Sequence, residues 1–510
     1  MLFIKYKFIC ITKKHNLISR KEHSMKTRII AFALLIAMAL TLLVSCGGSD
    51  ITTSPQQTEP GAATTNKEIV EDAVELVGDG EVIKIMSGNR EWFYDELSLE
   101  AHEIANVIDQ SVYDREAYVE SRLNIDIAVE KTNPDIIDQK IPILYDSNDD
   151  TYDMIAHQRC NIYTRLNCFY NLYEVENVDL SMPWYNQSWI ECSPDGVVPW
   201  ICGDATLSIL RFTFVTMCNL PLLNQYGIDN IYADVTNMTW TLDRQHEIVN
   251  TIYEDTNHNG LYDVGDVFGF VTNTCTATDA YWSACDLDFI NKNEDGDFYL
   301  AVDVDKCTTA TDKINALFHN NNGTLILPHQ SGDIEYDIAY EGFGSDLYAF
   351  ATFRLIAVEE EPLIEMESPY GILPMPMLDE DQAGYGTYFH DMSYAIAILG
   401  CVKEERLPII GATLEVFSQY SYNYTRSVYL DTALKGRYLR DQESREVLDL
   451  VVDSVSINAG LVYFSLNPGA SLYLSFRTMV GANKSNWSSI LRANHKIVQA
   501  QLDKFNSGEF

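Results

Sequence analysis

At 510 residues the chain is too long for one ordinary hydrophobic core, and 46% hydrophobic with 11% aromatic residues mark it as globular rather than disordered. It sets 35 Lys and Arg against 74 Asp and Glu, a net charge of −39. A charge of that sign and size is repelled by nucleic acid and by anionic lipid, and excludes both as partners.

The first predicted element lies near the N-terminus. Lys26 and Arg28 lead into residues 29–44, an apolar run in which only Thr41 is polar, and Leu43-Val44-Ser45-Cys46 closes it. Basic region, apolar core and small residue before a cut form a secretory signal, and the run is short for a membrane span. The cysteine at the cut resembles the lipobox of bacterial lipoproteins. That resemblance implies cleavage before Cys46, a diacylglycerol on its thiol, and an extracytoplasmic protein anchored to the cell membrane by lipid. Met25 reads as the start of this signal, and residues 1–24 as an upstream start-codon artefact. Residues 1–45 hold eight Lys or Arg and one Asp or Glu, a net of +7, so their removal takes the charge from −39 to −46.

Residues 47–66 are rich in Gly, Ser, Thr, Pro and Gln and free of aromatic side chains. They open a flexible tether taken as 46–78, within which 67–77 has the composition of a small helix. Order is expected from residue 81: 81–86 alternates as a strand, 115–123 has helical spacing, 125–129 alternates again, and 152–155 is a short strand. Trp240-Thr241-Leu242-Asp243 opens a helix with Thr241 as its cap. Alternating strand and helix signals make the class α/β.

Residues 255–266, Asp255-Thr256-Asn257-His258-Asn259-Gly260-Leu261-Tyr262-Asp263-Val264-Gly265-Asp266, match the twelve-residue calcium loop D-x-[DN]-x-[DN]-G with acids at positions nine and twelve. Asp255, Asn257 and Asn259 offer side-chain oxygens, Leu261 its carbonyl, Asp263 a direct or water-bridged contact, and Asp266 closes the loop where an EF-hand has Glu. The pattern resembles EF-hand and dockerin loops, and a structural calcium ion is expected; an Asn/Gly-rich turn without metal is the alternative. Asn291-Lys292-Asn293-Glu294-Asp295-Gly296 begins similarly but reads better as a hairpin turn at Asp295-Gly296.

Five segments carry a family resemblance. Asp179-Leu180-Ser181-Met182-Pro183-Trp184-Tyr185-Asn186 resembles the "DLSKPWW" segment of the extracellular solute-binding lipoproteins of carbohydrate ABC importers. Residues 219–228, NLPLLNQYGI, are similar to their "NKDLLEKYGI", and Trp240-Thr241-Leu242-Asp243 to the helix start that follows it. Tyr370-Gly371-Ile372-Leu373-Pro374-Met375-Pro376 resembles "GILPYP", and residues 433–444 resemble "ALKGKYLRDEES". The order is that of the family, maltose-binding-protein-like and known as bacterial extracellular solute-binding protein family 1.

The resemblance implies a two-lobed periplasmic-binding-protein-like fold of type II with a ligand cleft between the lobes. Lobe one is expected over 79–208 and again over 386–430, lobe two over 209–385, and a C-terminal helical region packing on the lobes over 431–510. The crossings fall near 207–212 and 386–389. It implies a monomer that captures a sugar or oligosaccharide and delivers it to the permease subunits of an ABC importer. Such a site stacks aromatic rings on sugar faces and forks Asp, Asn and Arg onto hydroxyls.

Candidate ligand contacts follow from position in that fold, each with a bland alternative. Asn89, Arg90 and Trp92 follow the first strand, in a cleft loop or an ordinary surface loop. Trp184 and Tyr185 stack on ligand or fill a packing corner. Asp204 and Arg211 precede and enter the first crossing, reaching ligand or bracing the hinge as an ion pair. Trp282 is a stacking residue or core. Phe343 and Asp346 flank a helix start at Ser345, where capping is the alternative for Asp346. Tyr388 and His390, with Asp391, sit at the second crossing.

No H-E-x-x-H, G-x-S-x-G, P-loop or G-x-G-x-x-G occurs, so no catalytic residue and no catalytic cofactor is expected. An exported carbohydrate-active enzyme or a surface glycan-attachment lipoprotein is the alternative function. The nine cysteines after Cys46 include no C-x-x-C pair and are expected mostly as buried free thiols.

Overall fold

The computed structural model describes residues 69–88, 97–158, 163–329, 334–435, 442–463 and 471–508. Cys46 and its signal lie outside them. Two sheets organise the described chain. The first has the order β12-β3-β1-β2. Strand β1 (Val82–Gly88) pairs in parallel with β2 (Asp126–Thr132) and with β3 (Met154–Gln158), and β12 (Tyr394–Ile398) closes the edge antiparallel to β3. Parallel neighbours need a crossover. Helix α1 (Val107–Leu123) supplies the first and helix α2 (Pro134–Ser147) the second. Asn106 caps α1 by accepting from the Ile108 and Asp109 amides, and Asn133 with Pro134 at the first turn starts α2.

The second sheet has the order β11-β4-β10-β6-β5. Strand β6 (Val267–Asn273) is its centre. It runs parallel to β10 (Tyr348–Arg354) and β9 (Thr324–Leu327), and antiparallel to the two-residue β5 (Tyr253–Glu254). Strand β4 (Phe214–Asn219) lies antiparallel between β10 and β11 (Tyr370–Leu373). Every residue of β4 and β10 is buried, as expected of strands covered on both faces.

Two resemblance-bearing segments meet in this lobe. Helix α3 (Leu242–Val249) begins at Thr241, whose hydroxyl accepts from the Arg244 amide at 3.2 Å. The buried Trp240 donates from its indole to the Pro374 carbonyl at 2.9 Å, and the Leu242 amide donates to the Met377 carbonyl at 2.9 Å. The hairpin of β7 (Ile290–Lys292) and β8 (Phe298–Leu300) turns at Gly296, φ 85°, with the Asn293 side chain accepting from the Asp295 and Asp297 amides. That is the turn read from Asp295-Gly296.

The chain passes from the first sheet to the second at 212–214 and returns at 388–390. A third passage is helical: α4 (Thr276–Ala284), α5 (Val304–His319) and α6 (Ile334–Gly344) belong to the second sheet, whereas α7 (Leu407–Tyr420) packs on α1, the first crossover helix of the first sheet. It continues through the π-helical turns Ser421–Thr425 and Val428–Lys435 towards α8 (Gln442–Asp453), which packs on β11. The last helices, α9 (Leu472–Gly481) and α10 (Trp487–Asn506), pack on α5.

Two sequence expectations are corrected. The described part of 67–77 is not a helix. Tertiary bonds hold it in an irregular course: Arg122 donates to the Asp72 carboxylate at 2.6 Å and to the Val74 carbonyl at 2.9 Å, and the Asn423 side chain bonds both the amide and the carbonyl of Val70. No helix starts at Ser345 either. Helix α6 ends there, with the Leu347 amide returning to the Gly342 carbonyl and Asp346 at φ 62°. A cluster of Gly, Ser and Asp serves a helix end as well as a start.

Of the eight described cysteines six are buried. Among the described residues no helix is long and apolar enough to cross a membrane.

Candidate functional site

In open α/β sheets, ligands bind beyond the carboxyl ends of the parallel strands. Here those ends are β1 and β3 in one sheet and β6, β9 and β10 in the other. The two crossing segments pair with each other: Phe214 donates from its amide to the Tyr388 carbonyl, and His390 to that of Phe212, both at 2.9 Å.

In the first lobe, β3 ends on His157 and Gln158, both fully buried. His157 bonds Asp138 at 3.0 Å and its ring lies against Gly88, where a Cβ would come within 2.8 Å of Nδ1. Gln158 stands in register with Tyr394, whose hydroxyl donates to the Gly88 carbonyl. Neither end of the Gln158 amide has a hydrogen-bond partner among the described residues, nor does the hydroxyl of buried Ser393. Buried polar groups are seldom left so.

In the second lobe, Asn273 at the end of β6 accepts from the Cys275 and Ala277 amides and turns the chain into α4. After β9, His329 is 2.6 Å from buried Glu335. Tyr336 shares a 2.6 Å hydrogen bond with Thr276. Arg354, the last residue of β10, lays its guanidinium over the Tyr336 ring at 4.6 Å and the Phe212 ring at 5.6 Å. An aromatic ring held by a hydroxyl and a stacked guanidinium suits a ligand with apolar faces and polar edges.

Of the residues singled out from sequence, Tyr388, His390 and Arg211 come together at the crossing. Tyr388 stacks on Phe214 at 6.1 Å and 7°. His390 meets Phe214 edge-on and accepts the Met392 amide on Nδ1. Arg211 forms a two-pronged pair with Glu359 at 2.9 and 3.0 Å, the bracing arrangement weighed for it. Asp204 likewise pairs with Arg426 at 3.1 Å. Trp184 and Tyr185 form a buried corner: the Tyr185 hydroxyl donates to Glu415 at 2.6 Å, and Gly203 approaches so closely that a Cβ would meet the Trp184 carbonyl at 2.4 Å.

Three residues sit elsewhere. Trp282 is enclosed by Phe289, Phe476 and Trp487. Phe343 is fully buried between Phe353 and Tyr370. Asp346 accepts from Asn219 at 2.6 Å and Ser368 at 2.9 Å. It precedes the start of β10, a strand's length, about 20 Å, from Arg354 at the other end. Asn89, Arg90 and Trp92 lie outside the described residues.

Gln158, Glu335, Tyr336 and Arg354 escaped the sequence reading. A signal existed for Arg354, since a charged residue ending the otherwise uncharged YAFATFR strand needs a polar surround.

An open space of about 300 Å³ separates Ser188, Glu191 and Cys192 of the first lobe from Asn291, Lys292 and Tyr299 of the β7–β8 hairpin. Lys292 spans its rim to Asp195 at 2.6 Å and to the Ser193 carbonyl at 2.9 Å.

No family model matches the chain, and no curated protein matches its sequence. Solved structures do match. The GacH receptor of Streptomyces glaucescens GLA.O, described unliganded and with acarbose and an acarbose homolog, aligns with TM-score 0.53 at 12% identity over 84% of this chain and 99% of that one. An ABC substrate-binding protein of Listeria monocytogenes in complex with cycloalternan aligns at 0.51 and 11%, over 83% and 99%. The maltose/maltodextrin-binding domain of Bdellovibrio bacteriovorus bound to maltotriose aligns at 0.50 and 11%, over 82% and 99%. The likeness is one of fold: this chain has the two-lobed α/β fold of those binding proteins.

Proposed function

We propose that the protein binds a sugar or oligosaccharide between its lobes without changing it, closes on it, and hands it to the permease subunits of an ABC importer. The observation that carries this reading is the pair of polar strand-end sets beside one crossing: the side chains of Gln158 and Ser393, buried without hydrogen-bond partners among the described residues, and the Tyr336–Arg354 stack. A polyhydroxyl ligand supplies the missing donors and acceptors on one side and an apolar face to the other. The fold's neighbours, described with acarbose, cycloalternan and maltotriose, support the same class.

The test is a thermal-shift screen of the purified protein against mono- and oligosaccharides, those three included, followed by small-angle scattering with the best ligand. The expected result is a raised melting temperature and a smaller radius of gyration on binding. Tyr336→Ala should weaken binding at least tenfold, the order expected for one lost stacking contact. Turnover of a glycan at constant radius would instead establish the carbohydrate-active enzyme.

We place the protein outside the cell, on lipid carried by Cys46. The basic and apolar runs before that cysteine support it. Cys46→Ala should leave the protein uncleaved or release it to the medium. A Cys46→Ala protein that is cleaved and still membrane-bound on fractionation would overturn the anchor.

A further inference from the structure

The loop from β5 to β6 has no part in the cleft, since it enters the amino end of β6 whereas the ligand side lies at the carboxyl end, about 20 Å away along the strand. Between Arg244 and Lys292 the sequence contains no Lys or Arg. Yet the loop holds Asp255, Asp263 and Asp266, and no ion pair among the described residues reaches any of them.

Asp266 is the telling residue. It is fully buried. Its Oδ2 accepts from the Asp263 amide at 3.2 Å and the Tyr253 hydroxyl at 3.3 Å, while its Oδ1 has no partner among the described residues. A carboxylate taken out of water with one oxygen unmet is costly unless a cation meets it.

The other donors follow the loop's spacing in the sequence. Asp255 accepts from the Asn259 and Gly260 amides at 3.2 and 2.8 Å, and Gly260 takes φ 71° to make the turn. Asn259 and Asn257 donate from their amide nitrogens to Asp263, at 2.7 Å and from 3.3 Å. Those bonds, with that from the Gly265 amide, hold the Asp263 carboxyl below its usual range, the Asn259 bond first. Outside the loop, Tyr348 donates to the Val264 carbonyl at 3.0 Å and Tyr262 stacks on Tyr253 at 4.4 Å, so the loop is seated on the sheet.

We propose that residues 255–266 bind one calcium ion through Asp255, Asn257, Asn259, the Leu261 carbonyl, Asp263 and the buried Oδ1 of Asp266. The donors are all oxygens, which suits a hard cation, and among the described residues no three His, Cys, Asp or Glu side chains already stand close enough together to hold a metal ion. The loop therefore tightens on its ion, trading the two asparagine N–H contacts for calcium. The ion pins the entry to the central strand of lobe two and is structural.

Terbium, a luminescent stand-in for calcium, is titrated into the purified protein with excitation through tyrosine, for which Tyr253 and Tyr262 are at hand, and is then displaced by calcium. One saturable site is expected, with a calcium Kd on the order of 10⁻⁴ to 10⁻³ M, the range of extracellular modules. Asp255→Ala and Asp266→Asn should abolish it, and Asp295→Asn in the other turn should leave it unchanged. Millimolar calcium should raise the melting temperature of the wild type by roughly 2–4 °C and leave those of the two loop variants where they are. Should either loop variant not fold by circular dichroism, Asp263→Asn at the half-buried position decides, with a loss of about tenfold in affinity expected. Absence of uptake by the wild type, or undiminished uptake by these variants, overturns the site. The readout uses no sugar and stands apart from the cleft.

Discussion

Replacing Arg477 by Met should destabilise the protein by about 3–5 kcal/mol at pH 8, the loss expected when one partner of a buried ion pair is removed. Arg477, on α9, donates through two nitrogens to Asp279 on α4, and to the Tyr473 hydroxyl at 3.0 Å. The Asp279 side chain is fully enclosed. Burial raises its carboxyl to about 6 against the pull of Arg477, so the guanidinium is what keeps it charged. Without Arg477 the pKa rises further. The folded state then holds a proton that the unfolded chain has lost, and stability falls as pH rises through that range. The loss should therefore be smaller at pH 5 than at pH 8, and Asp279→Asn added to Arg477→Met should recover part of it. Urea midpoints at the two pH values read both effects. A pH-independent loss with no recovery in the double variant would show that packing, not charge, is what Arg477 supplies.

Glu415→Gln should act in the opposite direction. Glu415 is buried beneath the Trp184–Tyr185 corner, accepting from the Tyr185 hydroxyl at 2.6 Å and the Asp179 amide at 3.3 Å. Burial raises its carboxyl from 4.5 to about 7. Between those values the folded state binds more protons than the unfolded one, so raising the pH costs stability, on the order of 3 kcal/mol across the window. A glutamine keeps the volume and an acceptor for Tyr185 and removes the titration. The variant should match the wild type near pH 5 and melt at a higher temperature than it at pH 8. Melting curves that stay parallel from pH 5 to pH 8 would dismiss the account.

The fold was legible where local signals and tertiary demands agree. The alternation over 81–86 became β1, and Thr241 caps α3 as its place before Leu242 predicts. Legibility failed where a distant partner decides. Arg122 and Asn423 hold the stretch after residue 68 out of a helix, and neither is near it in sequence. The candidate site was less readable for a related reason. Large aromatic side chains serve packing as readily as stacking, so Trp282 and Phe343 went to the core. Gln158 and Arg354 acquire meaning only because register and strand direction put them at carboxyl ends beside the crossing, which no window of sequence displays.

The paired crossing at Thr213 and Phe389 has a mechanical consequence. Two segments bridged to each other act as a torsion bar: they yield to twist and resist sliding, because twisting keeps the backbone bonds and sliding breaks them. Lobes so joined are expected to swing without slipping, with opposing groups returning to the same places after every cycle. Alignment is then stored in main-chain atoms, which no substitution of a lining side chain erases. The contacts to the solute are free to drift towards a different cargo while the closing movement stays as it is.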